Sequence, residues 1–277
     1  MIDISVSNLV KEFEVGNKIL DGLSFQVDTG ERVGLLGKNG AGKTTLLSIL
    51  TAQNTKDAGS VTYDGQDVWE NQHALDQICF SRELETTLFS SQNNLKVRHY
   101  LRSAAIFFPH WDQDYAQRLM EEFHVEPKKK ISQLSKGQLS MVTILIALAS
   151  GAPITILDEP AAGLDPEGRD TILSQVKQFH QETGTTVVLV SHSMEDIAKY
   201  ADKVLVLDAG HVAMYDTTSA VFARADELLQ LGLSVPEVTK VFLRLREWGL
   251  DVPADVYTVP YAANILRGML EKGAGTC

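Results

Sequence analysis

The chain has 277 residues, of which 44% are hydrophobic and 22% are charged, a balance typical of a globular protein that excludes disorder over most of the length. Lys and Arg number 25 and Asp and Glu number 36, so the formal net charge is −11. We expect no nucleic-acid partner, because nucleic-acid affinity comes largely from cations that neutralise phosphates. The only two cysteines, Cys79 and Cys277, exclude a disulfide scaffold and fit a reducing compartment.

The N-terminal part of the chain predicts strands around one glycine-rich turn. Ile2, Ile4 and Val6 alternate with polar residues, which indicates a half-buried strand and not a secretory signal. The run 33–36 is apolar on both faces, as expected of a buried strand. Further elements are predicted as strands at 25–27 and 61–63 and a helix at 43–50.

The middle of the chain predicts a helical insertion over about 84–150. Its candidate helices span 95–108, 112–123 and 136–149. The longest apolar stretch, 141–157, is interrupted by Ser150 and Pro153. It therefore predicts the end of a helix and the start of a strand, and no membrane span.

The C-terminal half alternates short apolar strands with helices. The predicted strands are 154–157, 187–190 and 204–207. Asp165, followed by a proline, begins a helix that ends near Gly184, and Ser193 caps a second helix that runs to about Tyr200. This alternation predicts an α/β fold with a mostly parallel sheet. The chain after about Ser219 is predicted to be helical.

The most specific motif is a glycine-rich loop between the strand at 33–36 and the helix that follows. It fits G-x-x-x-x-G-K-[ST] with Gly37, Lys38, Asn39, Gly40, Ala41, Gly42, Lys43, Thr44 and Thr45. Glycines let backbone N–H groups turn around phosphates, and the helix directs its positive end at the anion. We therefore predict that the loop binds ATP, with Lys43 at the β- and γ-phosphates and Thr44 at Mg²⁺. The alternative is a chance glycine-rich turn.

Two acids follow the strand at 154–157. Asp158 and Glu159 lie at the C-terminal end of a parallel strand, which faces the ligand crevice in an open α/β sheet. Asp158 is predicted to hold Mg²⁺ through water, and Glu159 to orient or activate the attacking water. Alone the pair would indicate a solvated strand end, but the loop at 37–45 favours the functional interpretation.

At this point the sequence resembles the ABC-type ATPases. Leu134-Ser135-Lys136-Gly137-Gln138 resembles their LSGGQ signature with Lys136 at the first glycine, Gly163-Leu164-Asp165 resembles the D-loop, and Ser191-His192 resembles the switch histidine. Phe13 stands where the family has an aromatic residue that stacks on adenine.

The resemblance covers about residues 1–220 and implies an ABC-type P-loop NTPase fold. Such a fold has a mostly parallel core sheet, an antiparallel β subdomain and a helical insertion subdomain, here at about 84–150. Residues 221–277 would form a helical C-terminal extension.

The resemblance also implies an ATP site shared by two subunits. Ser135, Gly137 and Gln138 of a second subunit would close over the γ-phosphate, with Lys43, Glu159 and His192 as the catalytic residues. Several alternatives stay open. Ser135 and Gln138 also form an ordinary capping box, His192 could decorate a strand end, Phe13 could be a core aromatic residue, and Asp165 could be only a helix cap.

One position departs from the family. The Q-loop glutamine follows a strand similar to 78–80, and the matching residue here is Glu83. A glutamate could still bind the metal, but it has no hydrogen to donate when ionised.

Two finer resemblances conflict. The aromatic stretch 106–112, together with Leu134-Ser135-Lys136-Gly137 downstream, is similar to ATPase subunits of drug- or peptide-resistance exporters, although Phe107, Phe108 and Trp111 could also be subdomain core. The segments 231–239, 245–250 and 256–259 resemble the C-terminal part of energy-coupling-factor importer ATPases.

The sequence therefore predicts an ATP-hydrolysing subunit of an ABC transporter, interpreted first as an exporter. The alternatives are an energy-coupling-factor importer ATPase and a soluble ABC ATPase without a transport role. The expected partners are ATP, a second ATPase subunit as a homodimer or heterodimer, and an integral membrane permease. The permease would hold the protein on the cytoplasmic face of the membrane.

Overall fold

The computed structural model describes residues 3–82 and 95–274. Its strands are β1 (Ile4–Glu14), β2 (Asn17–Val27), β3 (Arg32–Gly37), β4 (Ala58–Tyr63), β5 (Gln66–Asp67), β6 (Ile78–Arg82), β7 (Ile154–Asp158), β8 (Thr186–Val190), β9 (Lys203–Asp208) and β10 (His211–Thr217). Its helices are α1 (Lys43–Leu50), α2 (Gln72–Leu75), α3 (Val97–Phe107), α4 (Gln113–Glu122), α5 (Lys136–Ala149), α6 (Pro166–Thr183), α7 (Met194–Tyr200), α8 (Thr218–Ala223), α9 (Ala225–Gln230), α10 (Glu237–Glu247) and α11 (Val259–Ala274).

The strands form two sheets. The first is antiparallel with the order β2-β1-β4-β5. The second has the order β10-β9-β3-β8-β7-β6, and all its neighbours are parallel except β9 and β10. The predicted α/β fold, with a mostly parallel core sheet, an antiparallel β subdomain and a helical insertion, is confirmed. The helices α3 to α5 form the described part of that insertion.

The N-terminal hairpin is longer than the sequence pattern predicts. The expected strand at 25–27 is only the end of β2, which pairs along β1 from Ile4 to Glu14. Register shifts, the first between Val6 and Leu9, break the polar and apolar alternation on which the prediction depended. The strand β10 was not predicted because Met214 is its only buried residue.

Helix ends follow the predicted capping residues. The side chain of Asp165 accepts a hydrogen bond from the Gly168 N–H at 2.9 Å, and Ser193 accepts one from the Asp196 N–H at 3.2 Å. Gly184 ends α6 with a φ of +68°, a conformation in which glycine has no steric cost. These local signals therefore place α6 and α7 correctly.

The parallel sheet separates two hydrophobic clusters because its side chains alternate between faces. Leu36, Leu157 and Leu189 lie in the cluster formed with α5 to α8, whereas Leu35 and Ile156 lie in the cluster formed with α1 and the antiparallel sheet. This arrangement fixes the C-terminal ends of β3 and β7, where the candidate site lies.

The C-terminal extension is packed in two parts. Phe222 in α8 and Val235 after α9 belong to the main core, so the predicted boundary at 220–221 falls inside a helix that is packed there. A separate small cluster around Phe242 and Val256 joins α10 to α11. Within 3–82 and 95–274, no helix is both long enough and apolar enough to cross a bilayer.

We expect Leu145→Ala in α5 to lower the free energy of unfolding by about 2–5 kcal/mol, because this side chain is fully buried in the larger cluster and its loss leaves a cavity. The measurement is urea denaturation. Leu270→Ala is the matched control, since Leu270 is largely exposed on α11, and it should change stability by less than about 0.5 kcal/mol. Equal effects of the two substitutions would contradict this assignment of the core.

Candidate functional site

The glycine-rich loop joins the C-terminal end of β3, a central strand of the parallel sheet, to α1. At Gly42, φ is +100°, and a Cβ there would lie 2.6 Å from a methyl carbon of Leu20 and 3.0 Å from the carbonyl oxygen of Ile19. A Cβ on Gly37 would lie 2.7 Å from the carbonyl oxygen of Leu207 in β9. Glycine is therefore required at both ends of the loop, and the bare backbone leaves room for an anion to approach.

The side chain of Lys43 turns back into the loop. Its Nζ donates to the carbonyl oxygens of Gly37 at 2.5 Å and Lys38 at 3.1 Å. Burial lowers the pKa of this ammonium, whereas the negative charges of Glu159 and Asp158 raise it. A half-buried cation between these groups is well placed to bind an anion that enters the loop.

The two predicted acids and the predicted histidine meet beside this lysine. The register of β7 against β8 pairs Asp158 with Val190, two residues before His192. The Nε2 of His192 lies 3.4 Å from Oε1 of Glu159. This Oε1 is buried, and no described residue donates a hydrogen bond to it, although the histidine is near. Burial raises the pKa of Glu159 and nearby Asp158 adds to the rise, while His192 opposes it.

A cavity of about 480 Å³ contains these groups. Most of the predicted residues line it, namely Lys38, Asn39, Gly40, Gly42, Lys43, Thr44, Thr45, Asp158, Glu159 and His192. Gly37 and Ala41 are not among the lining residues. Ile19 and Val190 complete the wall, and the sequence analysis missed both. No motif marks Ile19, because strand packing in the fold brings it to the loop.

Phe13 is not among the residues that line this cavity. Its side chain is 58% exposed near the end of β1, and the ammonium of Lys11 lies 5.2 Å from its ring centroid. The alternative of a core aromatic residue is therefore wrong. Its predicted stacking on adenine stays a prediction.

The signature-like segment forms the start of α5 outside the cavity. Ser135 accepts from the Gln138 N–H and donates its own N–H to the Gln138 side chain, each at 3.2 Å, so the predicted capping box is present. A Cβ on Gly137 would lie 2.7 Å from Leu164 and 3.0 Å from the carbonyl oxygen of Gly163. Gly137 therefore packs against the segment that resembles the D-loop, while Ser135 is exposed.

A second cavity, of about 360 Å³, is lined by residues of β6, α3 and α5. Phe80, Tyr100, Phe108 and Ile146 supply most of its apolar wall. Of the aromatic stretch predicted at 106–112, Phe108 and Trp111 pack on the core, whereas Phe107 is 79% exposed. Glu83, the residue predicted at the Q-loop position, follows β6 and lies outside the described residues.

The residues present fit Mg²⁺ bound together with a nucleotide. In the part of the chain that the structure describes, no group of three or more His, Cys, Asp and Glu side chains could hold a metal ion. Mg²⁺ commonly takes only one or two protein oxygens and completes its shell with water and phosphate. Thr44 and Asp158, whose side chains carry oxygen atoms, both line the cavity. No described residue donates to the buried Oε1 of Glu159, and a water molecule could supply that hydrogen bond.

Comparison with known proteins shows the family. A sequence model described as ABC transporter matches residues 20–162. The chain is 37% identical over 269 residues to the energy-coupling factor transporter ATP-binding protein EcfA2 of Symbiobacterium thermophilum, covering 93% of this chain and 92% of that protein. It is 30% identical over 265 residues to EcfA2 of Clostridium perfringens, covering 91% and 92%.

Solved structures share the fold. One is cbiO1 of Clostridium perfringens, part of the ABC transporter complex cbiONQ, with a TM-score of 0.68, 24% identity, and coverage of 89% of this chain and 96% of that one. Another is a bacterial Atm1-family ABC exporter with ATP bound, with a TM-score of 0.71, 22% identity, and coverage of 83% and 41%. At these identities the likeness extends to the fold alone.

The predicted exporter type is not supported by these comparisons. Both sequence relatives are energy-coupling factor proteins, which favours the alternative interpretation, and the exporter structure shares only the fold. The family prediction itself is confirmed, and with it ATP binding and hydrolysis by the cassette. The chain belongs to the ABC transporter family, as one of its ATP-binding, ATP-hydrolysing subunits.

Proposed function

We propose that the protein is the ATPase subunit of an energy-coupling-factor importer. The observation that carries this proposal is the extent of the similarity, which covers more than 90% of this chain and of both relatives. The match therefore reaches beyond the cassette residues 20–162 and takes in much of the C-terminal extension.

In this proposal the loop 37–45 binds the triphosphate of ATP. Its bare backbone and the N-terminus of α1 receive the phosphate oxygens, and Lys43 exchanges its two carbonyl acceptors for the β- and γ-phosphates. Thr44 and Asp158 hold Mg²⁺, which supplies positive charge at the phosphates when it is bound. Phe13 and Glu83 are proposed at adenine and at the metal, respectively.

Glu159 is proposed to orient the attacking water and accept its proton. The support is the position of Glu159 in the wall of the cavity that Lys43 also lines, its buried Oε1, which accepts no hydrogen bond from the described residues, and the raised pKa of the carboxyl. His192, whose Nε2 lies 3.4 Å from Oε1, is proposed to position this carboxylate and to bind the γ-phosphate when ATP is present. Both residues act on the terminal phosphate, so they affect hydrolysis more than ATP binding.

A second subunit completes the site. The start of α5 carries Ser135, whose exposed hydroxyl suits a γ-phosphate held by a partner, while the buried Gly137 packs this helix start against Leu164. Because this hydroxyl lies outside the cavity of its own chain, it can reach phosphate only across a subunit interface. Closure of the pair with ATP, and its opening after hydrolysis, would drive the membrane partner.

The membrane partner is proposed to dock at the cavity between β6 and the helical insertion. Phe80, Tyr100 and Phe108 line it beside the exposed Phe107, which suits an amphipathic helix of an integral membrane protein. Docking there would place this subunit on the cytoplasmic face of the membrane.

Purification of the tagged full-length chain from detergent-solubilised membranes tests the proposal. We expect an integral membrane complex to co-purify and to retain a vitamin or a metal ion as cargo. Parallel purification from cells that make the untagged chain is the control. Recovery with an exporter permease, or with no membrane protein at all, would contradict the proposed function.

We expect Ser135→Ala to weaken ATP-dependent pairing at least about tenfold, because a charge-assisted hydrogen bond to phosphate is worth about 1.5–3 kcal/mol. ATP affinity of the single subunit should stay unchanged. The measurement is sedimentation with ATP. Thr217→Ala is the matched control, because Thr217 also caps a helix by accepting from Ala220 but lies at α8. If Thr217→Ala impaired pairing equally, loss of a helix cap would explain the result and the role of Ser135 would be wrong.

A further inference from the structure

The extension contacts the ATP loop through a glycine at the end of α9. The N–H of Gly232 donates to the carbonyl oxygen of Leu229 at 2.8 Å, and the N–H of Leu233 donates to that of Leu228 at 3.0 Å. These two bonds form a Schellman motif, whose glycine has a positive φ, here +65°. The motif fixes the position of the Gly232 backbone against the rest of the molecule, because Leu233 and Leu228 are both buried in the main core.

The side chain of Lys38 lies directly on this glycine. A Cβ built on Gly232 would lie 2.5 Å from the Nζ of Lys38 and closer still to its Cε. Any residue other than glycine at 232 would displace the ammonium. Because Gly232 has no side chain, the C-terminal extension leaves room there for the end of the Lys38 side chain.

Lys38 is also part of the frame that holds Lys43. Its carbonyl oxygen accepts from the Nζ of Lys43 at 3.1 Å and from the N–H of Ala41 at 3.1 Å. Its side chain lines both the ATP cavity and an adjacent cavity of about 450 Å³. The contact with Gly232 involves the end of the Lys38 side chain and not its carbonyl group, so displacement of the side chain changes the position of the positive charge at the mouth of the site.

The C-terminal extension also contacts the helix α7. The N–H of Glu237 donates to Oε1 of Glu195 at 3.1 Å, in the helix that begins just after His192. Leu233 and Ser234 line the adjacent cavity together with Lys38 and His192. The segment 232–237 thus bridges the glycine-rich loop and the histidine segment.

We propose that Gly232 is a positioning residue for ATP binding, which couples the C-terminal extension to the glycine-rich loop through Lys38. The inference rests on the ATP site of the proposed function. Coupling of this kind is reciprocal, so ATP should also stabilise the segment 232–237. A partner that binds the extension would thereby change ATP affinity.

The chain offers a closely matched control for the test. Gly249 ends α10 in the same Schellman geometry, with Gly249 N–H to Arg246 at 2.9 Å, Leu250 N–H to Leu245 at 3.1 Å and a φ of +83°. A Cβ on Gly249 would meet no atom of the described residues within 4 Å. Alanine at either position carries the same backbone strain, and only one of the two displaces a lysine.

The affinity for a non-hydrolysable ATP analogue with Mg²⁺ is measured by calorimetry on the full-length chain. We expect Gly232→Ala to weaken binding about threefold to tenfold, and Gly249→Ala to change it by less than about twofold, while both lower the melting temperature similarly. In a Lys38→Ala background, Gly232→Ala should have no further effect on affinity. The inference is overturned if the two glycine variants bind alike, or if the effect of Gly232→Ala persists without the lysine.

Hydrogen exchange gives a second measurement that does not depend on a glycine variant. In the wild-type chain, the ATP analogue should slow amide exchange at 232–234, and Lys38→Ala should abolish most of this protection. Unchanged exchange at 232–234 in the wild-type chain would overturn the coupling, even though ATP binds. Absence of nucleotide binding in the wild-type chain would instead overturn the proposed function itself.

Discussion

Glu159→Gln is expected to lower ATP turnover at least about a hundredfold, the usual contribution of a general base, while ATP-dependent pairing of subunits becomes tighter. The amide has the shape of the carboxylate but cannot take a proton from water. It also removes a negative charge that lies beside the phosphates, so bound ATP is retained. Phosphate release measures turnover, and size-exclusion chromatography with ATP measures pairing.

The control for this experiment is Glu247→Gln, because Glu247 is an exposed residue at the end of α10 that pairs only with Arg244 among the described residues. It should leave both turnover and pairing unchanged. If Glu159→Gln kept its turnover, Glu159 could not be the residue that activates water, and the buried Oε1 would need another explanation.

Much of the ATP site could be predicted from sequence because its signals are local. The motif from Gly37 to Lys43 and the strand before it can be recognised from neighbouring residues alone. In the structure, Lys43 lies in one cavity with Asp158 and Glu159. The acids follow from the same rule, since parallel strands end at one edge of the sheet.

The parts that sequence could not predict depend on contacts between distant segments. Ile19 reaches the ATP cavity because β2 packs on the loop, and Gly232 reaches Lys38 across almost 200 residues of chain. The strand β10 gave no alternating signal, since only Met214 is buried. These contacts form through strand pairing and close packing between distant segments, so no local sequence pattern predicts them.

The exporter interpretation depended on a short aromatic stretch and on the segment 134–137 downstream, and the structure explains why the aromatic stretch discriminates poorly. Ile106 and Phe107 are about 80% exposed, so their identity is not constrained by the core. The extension, in contrast, contributes Phe222, Leu233 and Val235 to the main core. Similarity that includes these packed segments is stronger support for the subtype.

Lys43→Met is expected to weaken ATP binding about a hundredfold or more, because it removes two charge-assisted hydrogen bonds to phosphate, each worth about 1.5–3 kcal/mol. The nucleotide-free protein should keep its melting temperature within a few degrees. Burial lowers the pKa of Lys43, which means that keeping its charge inside the loop costs free energy. Methionine has a similar length and no charge. Its burial should therefore offset the loss of the two hydrogen bonds to backbone carbonyls.

Calorimetry with the ATP analogue and a thermal melt of the free protein separate these two effects. Lys56→Met is the matched control, since it removes a lysine that pairs with Asp67 on the surface, where an ion pair is worth about 0–1 kcal/mol. It should leave ATP affinity unchanged. If Lys43→Met bound ATP as tightly as the Lys56→Met control, the phosphates could not lie at this ammonium, and the loop would have to bind nucleotide through its backbone alone.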